Sequence, residues 1–114
     1  MISKSDVRIL SLMLEKASRL SEILKKYGRK EIQNNYILSD SINYEFEKLF
    51  EDSSRLSLEF RIERGKELNF EKLRAIRNRI AHDYESVILD VLLDTVENDI
   101  PNFISEIEKV LSDK

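Results

Sequence analysis

Apolar side chains recur along this chain at alternating intervals of three and four residues, the spacing that places them on one face of an α-helix. The first such stripe consists of Leu10, Met13, Ala17, Leu20, Leu24 and Tyr27. Only two glycines and one proline are present to interrupt helices, and no segment shows a clear strand pattern. The sequence therefore predicts an all-α fold.

Residues that favour helix ends divide the chain into segments. Ser5 or Asp6 can cap the first helix, and Gly28 suits its end because glycine readily takes the left-handed conformation found there. A second long helix is predicted from about residue 34 to residue 64, ending at Gly65. Its apolar stripe contains Ile42, Phe46, Leu49, Leu56 and Phe60.

Three shorter helices complete the prediction. The third is introduced by Asn69 as its cap, and the last begins at Asp99, a second candidate cap, with Pro101 in its first turn. Their apolar positions are Phe70, Leu73, Ile76 and Ile80 in the third, Val87, Ile88, Val91, Leu92 and Val96 in the fourth, and Ile100, Phe103, Ile104, Ile107, Val110 and Leu111 in the last. We expect one domain spanning residues 1–114, a four- to five-helix up-and-down bundle.

Composition excludes several classes of protein. Without cysteine the chain has neither disulfides nor thiolate chemistry, which is compatible with a reducing cytoplasm. It shows no N-terminal export signal and no run of eighteen apolar residues, so we expect a cytoplasmic protein that does not span a membrane. The formal net charge of -3 argues against nonspecific coating of nucleic acid, and any site for a polyanion must be local.

One local concentration of positive charge is present. Lys72, Arg74, Arg77 and Arg79 place four basic side chains within eight residues, without a carboxylate among them. The ordinary interpretation of such a run is a solvated helix face, and the alternative is a binding site for a polyanion.

His82 is the only histidine, and histidine is the side chain best suited to act as both acid and base near neutral pH. One histidine with scattered carboxylates does not match the ligand spacing of a zinc site. The chain also lacks a Gly-rich phosphate loop and a recognisable Ser-His-Asp motif, so we expect no metal and no other cofactor. For a lone histidine near a helix end, the ordinary interpretation is a capping or packing residue.

The residues around His82 change this interpretation. The run Arg77-Asn78-Arg79-Ile80-Ala81-His82-Asp83-Tyr84 has the form arginine, four residues, histidine, one residue, tyrosine. It resembles the signature of the HepT branch of the HEPN superfamily, in which a polar residue such as Asn78 often follows the arginine. Phe70 stands where that family commonly has tryptophan, and Ala75 where it commonly has glycine. The resemblance covers roughly the C-terminal two-thirds of the chain, including Glu51 followed by Arg55-Leu56-Ser57 and the Asn98-Asp99-Ile100-Pro101 entry to the last helix.

Helical geometry constrains how this motif can work. At about 100° per residue, Arg77 and Tyr84 lie nearly on one line of a helix, while His82 points about 140° away from Arg77. Either the helix ends near His82, or the site combines residues from two subunits, and the two are compatible. The resemblance implies the second, a HEPN-like homodimer with its cleft at the subunit interface. Candidates for an exposed dimer surface are the aromatic residues off the main stripe of the second helix, Tyr36, Tyr44 and Phe50.

The activity implied by the resemblance is metal-independent cleavage of RNA. This reaction needs a base for the 2′-hydroxyl and an acid for the leaving 5′-oxygen, and two subunits would supply two copies of His82. Arg77 would hold the scissile phosphate and stabilise the transition state, so Arg77 and His82 are the predicted catalytic residues. Asn78 would orient the phosphate or the histidine, while Arg74 and Arg79 would bind flanking phosphates. The product would be a 2′,3′-cyclic phosphate, and DNA would resist cleavage.

Tyr84 has two interpretations. As a structural residue it packs its ring at a helix end with its hydroxyl in water. By the resemblance, it is the position at which a partner nucleotidyltransferase, the MNT antitoxin, attaches AMP, and the added charge and bulk would block RNA. The chain would then be the toxin of a type VII-like toxin-antitoxin pair. Two other functions stay open: a catalytically inactive helical partner or substrate-binding subunit of a nucleotidyltransferase, and a plain dimeric scaffold.

Overall fold

The computed structural model of the chain describes residues 2–80 and 85–113, apart from the side chains of residues 85 and 86. Within these ranges the chain forms six α-helices and no strand, which confirms the all-α prediction. The helices are α1 (Lys4–Asn34), α2 (Tyr36–Ser54), α3 (Leu58–Leu68), α4 (Phe70–Ile80), α5 (Glu85–Asn98) and α6 (Ile100–Ser112). The count of four or five helices was too low, because the second predicted helix is two helices.

The predicted continuous helix from residue 34 to residue 64 is interrupted after Ser54. Ser57 has an extended backbone (φ -62°, ψ 152°) and its hydroxyl accepts a hydrogen bond from the Phe60 amide, which makes it the N-cap of α3. The Ser57 amide and hydroxyl both donate to the carboxylate of Asp6, at 2.9 Å and 2.6 Å. A contact between positions 51 residues apart therefore fixes the break.

Helix α3 continues past Gly65, where the sequence predicted its end. The left-handed residue is Asn69 (φ 54°, ψ 50°), whose amide donates to the carbonyls of Gly65 and Lys66. Asparagine is among the few residues other than glycine that take this conformation readily. Asn69 also introduces α4, because its carbonyl accepts from the amides of Lys72 and Leu73, as the sequence predicted for this residue.

The N-cap of helix α1 lies two or three residues earlier than predicted, and the helix bends where the sequence predicted its end. Ser3, rather than Ser5 or Asp6, is the N-cap, and its hydroxyl accepts from the Asp6 amide. Gly28 has φ 78° and ψ 159°, a conformation essentially restricted to glycine, after which the helix resumes to Asn34. The bend brings residues 29–34 to α5, where Arg29 pairs with Asp94 at 2.6 Å.

The hydrophobic core surrounds α1, which packs against α2, α5 and α6. The predicted stripe of this helix is confirmed, since Leu10, Met13, Ala17 and Leu20 are completely buried. Phe50 belongs to the same core, because it is only 7% exposed and its ring lies 5.9 Å from that of Phe46. It is therefore not available for the dimer surface suggested with Tyr36 and Tyr44, which are exposed. No helix in the described ranges is long and apolar enough to span a membrane.

Candidate nucleic-acid interface

The basic run of α4 divides between two faces of that helix. Arg74 and Arg77 are three residues apart and lie on the side toward α2 and α3. Lys72 and Arg79 are seven residues apart, almost two full turns, and lie on the side toward α5. The four charges therefore do not form one patch, and the two sides of α4 have different electrostatic surroundings.

The side of α4 with Arg74 and Arg77 borders an open cleft of about 120 Å³, which we name the arginine cleft. Its wall is formed by Phe50, Ser53, Ser54, Arg61, Phe70, Leu73, Arg74 and Arg77. Three of these eight residues are arginines and none is acidic. Arg74 and Arg77 are exposed and make no hydrogen bond or ion pair with any described residue. Arginines that line one cleft with no acidic residue among the lining are suited to bind phosphate.

Arg61 comes to this cleft from α3, and no sequence pattern had pointed to it as a site residue. It lies in the alternating charges of Arg61-Ile62-Glu63-Arg64, and its position depends on the break before α3. Its Nη2 group donates to the backbone carbonyl of Ser54, the last residue of α2. Its Nε is buried and has no hydrogen-bond partner within the described part of the chain. The guanidinium is thus held at the wall of the arginine cleft, and one of its donors is not used.

The carboxylate of Asp6 holds α3 in place beneath this cleft. Asp6 is only 3% exposed, and burial by itself acts to raise the pKa of its carboxyl. Hydrogen bonds with Ser57 and Ser3, together with the positive charge of Arg61, outweigh burial, and the pKa lies below its ordinary value of 3.8. Asp6 is therefore ionised at neutral pH, where it stabilises both the N-cap of α3 and the charge of Arg61.

A wider cleft of about 440 Å³ opens on the other side of Arg77 and Ser54. Besides these two residues it is lined by Glu47, Phe50, Glu51 and Ile80, the last helical residue of α4. Glu47 and Glu51 give this cleft two carboxylates, so it is less favourable for a polyanion than the arginine cleft. Arg77 is the basic residue shared by the two clefts, and it stands at the boundary between them.

The opposite side of α4 is electrostatically balanced. Lys72 pairs with Asp99 at 2.7 Å, and the cleft of about 340 Å³ that contains Lys72 and Arg79 also contains Asp94. Asp99 occupies the N-cap position of α6, as predicted, but its side chain makes no capping hydrogen bond because it pairs with Lys72 instead. Pro101 lies in the first turn of α6, where its missing amide costs no helical hydrogen bond.

The structure therefore brings together Arg74 and Arg77 among the predicted site residues and adds Arg61. Arg79 lies on the other side of the helix, and Asn78 is exposed on α4. His82 and Tyr84, the predicted base and modification site, fall outside the described residues. The roles of these two residues stay predictions. The same holds for the two arrangements that helical geometry allows, a helix that ends near His82 and a site that combines residues from two subunits. Within the described ranges, no group of three or more His, Cys, Asp or Glu side chains is placed to hold a metal ion.

Comparison with known families gives a match over most of the chain. The family model described as "Ribonuclease HepT-like" matches residues 13–110, which is most of the chain and includes all six helices in whole or in part. The chain belongs to the HepT-like ribonuclease family. No curated protein and no solved structure gives a significant match. Membership confirms the resemblance seen in the sequence and supports a HEPN-type ribonuclease with RNA as its substrate class. In this HepT-like ribonuclease, the motif arginine Arg77 borders the arginine cleft.

Proposed function

We propose that this HepT-like chain is a metal-independent endoribonuclease toxin in which Arg77 holds the scissile phosphate and His82 transfers the protons. The observation that carries the proposal is the position of Arg77. It is the first residue of the motif, it is exposed, and it makes no ion pair with any described residue while bordering a cleft lined with arginines and no acid. A guanidinium in this state is ready to bind a phosphodiester.

The proposed reaction is an internal transesterification of RNA. One imidazole takes the proton of the 2′-hydroxyl, the 2′-oxygen attacks phosphorus, and the bond from phosphorus to the 5′-oxygen breaks. A second imidazole gives its proton to the leaving 5′-oxygen, so the products are a 2′,3′-cyclic phosphate and a 5′-hydroxyl. Arg77 stabilises the charge on the pentacoordinate phosphorus. Asn78 orients the phosphate or His82, and Arg74 and Arg79 bind flanking phosphates.

A homodimer supplies the second imidazole. Each chain has one histidine, and the reaction uses one base and one acid. We propose that two copies of the motif meet at the subunit interface, as in the family it resembles. Sedimentation over a range of concentrations tests this arrangement, because full activity of a persistent monomer would contradict the shared site.

The ribonuclease is tested by incubating purified protein with mixed cellular RNA in EDTA. We expect cleavage that ends in 2′,3′-cyclic phosphates, and its loss in Arg77→Gln and His82→Ala. The matched control is Lys25→Gln, which removes a charge from an exposed residue of α1 that lines none of the three clefts described above. Undiminished cleavage by His82→Ala would contradict the mechanism. RNA binding without cleavage by the wild-type dimer would favour the inactive-partner alternative.

Control of the toxin is proposed to act at Tyr84. An MNT-type nucleotidyltransferase antitoxin attaches AMP to the hydroxyl of Tyr84, two residues from His82, and the added negative charge and bulk exclude RNA. Coexpression with such a nucleotidyltransferase encoded beside this chain, followed by mass spectrometry, tests the proposal. We expect a mass increase of AMP on the Tyr84 peptide and none in Tyr84→Phe. A tight inhibitory complex with an unmodified Tyr84 peptide would reject this part.

A further inference from the structure

We infer that Arg61 and Arg74 form a second phosphate-binding subsite beside Arg77, so that the arginine cleft holds an RNA strand by a phosphate that is not cleaved. The inference rests on the proposed function, because it takes the phosphate at Arg77 to be the scissile one. It adds a binding residue, Arg61, that lies outside the Arg77–Tyr84 motif and on a different helix.

Arg61 is positioned before any ligand binds. Its Nη2 donates to the Ser54 carbonyl at the end of α2, which holds the planar guanidinium at the wall of the cleft. Less side-chain freedom is then lost when an anion binds than for a fully mobile arginine. The Nε of Arg61 is buried and has no described hydrogen-bond partner, so the guanidinium is partly removed from water. Its attraction to a negative charge is less screened there than in full contact with water.

Arg74 contributes from α4 to the same wall. It is exposed and has no described partner, so its charge is not neutralised within the described chain. Three arginines line this cleft of about 120 Å³, and the Asp6 carboxylate acts on the charge of Arg61 alone. The cleft therefore keeps an excess of positive charge, which a bound anion would offset. A cleft of this size admits a phosphodiester group more readily than a whole nucleotide.

The two serines of the cleft do not offer a hydroxyl proton to a bound phosphate. The hydroxyl of Ser53 donates to the Phe50 carbonyl at 2.8 Å, and that of Ser54 donates to the Glu51 carbonyl at 2.7 Å. Each hydroxyl has one proton, and in both cases it is already used. Recognition in the arginine cleft therefore depends on the guanidinium groups, and a negatively charged ligand without further hydrogen-bond specificity fits the site.

The test measures binding of RNA that cannot be cleaved. Two probes with 2′-O-methyl riboses are used, a random-sequence strand of about twelve nucleotides and a dinucleotide with a single phosphodiester. We expect Arg61→Gln and Arg74→Gln each to weaken binding of the longer strand roughly tenfold. Each should also reduce the slope of log K against log salt concentration by about 0.7, the value for one lost phosphate contact on a single strand. Binding of the dinucleotide should not change, and Lys25→Gln should change neither probe.

Equal affinities of Arg61→Gln, Arg74→Gln and Lys25→Gln for the longer strand would overturn the inference. So would an equal loss for both probes, because it would place these arginines at the scissile phosphate. If Arg61→Gln lowers the melting temperature enough to prevent measurement, Arg74→Gln decides the matter, since Arg74 has no described contact to lose. Arg61→Lys keeps the charge without the fork of donors and should bind between the wild type and Arg61→Gln.

Failure of the proposed function is recognised separately. If the wild type does not cleave RNA but binds the longer probe through Arg61 and Arg74, the ribonuclease is rejected and the subsite is supported. If it cleaves RNA and both variants bind like Lys25→Gln, the ribonuclease is supported and the subsite is rejected.

Discussion

Removal of the Asp6 carboxylate tests whether the contact between α1 and α3 determines the stability of the bundle. Asp6 accepts hydrogen bonds from the Ser57 amide and hydroxyl, at 2.9 Å and 2.6 Å, and is 3% exposed. A hydrogen bond to a charged group contributes about 1.5–3 kcal/mol. Asp6→Ala loses two such bonds and leaves the partly buried Ser57 amide without its partner, so we expect the free energy of unfolding to fall by about 3–5 kcal/mol.

The expected loss is large beside the total stability of a small domain, which is about 5–15 kcal/mol. Asp6→Asn keeps one carbonyl oxygen as acceptor and loses the charge, so it should cost about 2 kcal/mol. Urea unfolding followed by circular dichroism measures both variants, with Asp40→Ala, at an exposed aspartate of α2 without a described partner, as control. A loss for Asp6→Ala within about 0.5 kcal/mol of the control would refute the reasoning.

The same carboxylate predicts the direction of a pH effect. Its pKa is below 3.8 in the folded chain, so its contribution to stability is complete above the unfolded value and is lost as pH falls through the folded value. The difference in unfolding free energy between the wild type and Asp6→Asn should therefore be constant near neutral pH and shrink below about pH 4. A difference that grows in acid would show that the sign of the shift is wrong.

Substitutions at three further positions test other features of the fold by the same urea measurement. Gly28→Ala should lower the free energy of unfolding by about 1–3 kcal/mol, because an L-residue is strained at φ 78°. The cost comes from the backbone alone, since an added Cβ meets no atom within 4 Å. An unchanged stability would mean that the bend is not required. Asp52 is 4% exposed and pairs with Lys16 at 2.6 Å and with Arg55. Lys16→Met leaves this buried carboxylate with Arg55 alone, so the free energy of unfolding should fall by about 3 kcal/mol. An unchanged stability would show that Arg55 is enough to compensate the charge of Asp52. Asn69 has φ 54°, a left-handed conformation that strains alanine but not glycine. Asn69→Ala should therefore lower the free energy of unfolding by about 1 kcal/mol, and Asn69→Gly should not. Equal losses in the two variants would contradict a conformational cause.

Much of the fold could be predicted from the sequence because its signals are local. The stripe of α1 repeats at helical intervals, and its first four members are completely buried. The start of α6 was predicted from Asp99 and Pro101, which are adjacent to it. The break between α2 and α3 was missed because the apolar stripe continues across it, from Leu49 through Leu56 to Phe60. What interrupts the helix is Ser57 bound to Asp6, and no local pattern reveals that pair.

In the site, too, contacts within one helix could be predicted from the sequence, whereas the contact from another helix could not. Arg74 and Arg77 share a cleft because residues three apart lie on one face of a helix, which spacing alone predicts. Arg79 was grouped with them by sequence proximity, but helical geometry turns it toward α5. Arg61 was missed because it reaches the cleft from another helix, through the break that the sequence did not reveal.

The helix break and the arginine cleft have a common cause. In one continuous helix the Ser54 carbonyl would accept the amide four residues later, and Arg61 would lie about 10 Å further along the axis. Because α2 ends at Ser54, this carbonyl is among those left without an intrahelical partner, and Arg61 donates to it. Asp6 fixes the N-cap of α3 and so determines where Arg61 returns toward α4. Weakening of the Asp6–Ser57 contact should therefore loosen Arg61 as well as the bundle, which links the stability of α3 to phosphate binding in the arginine cleft.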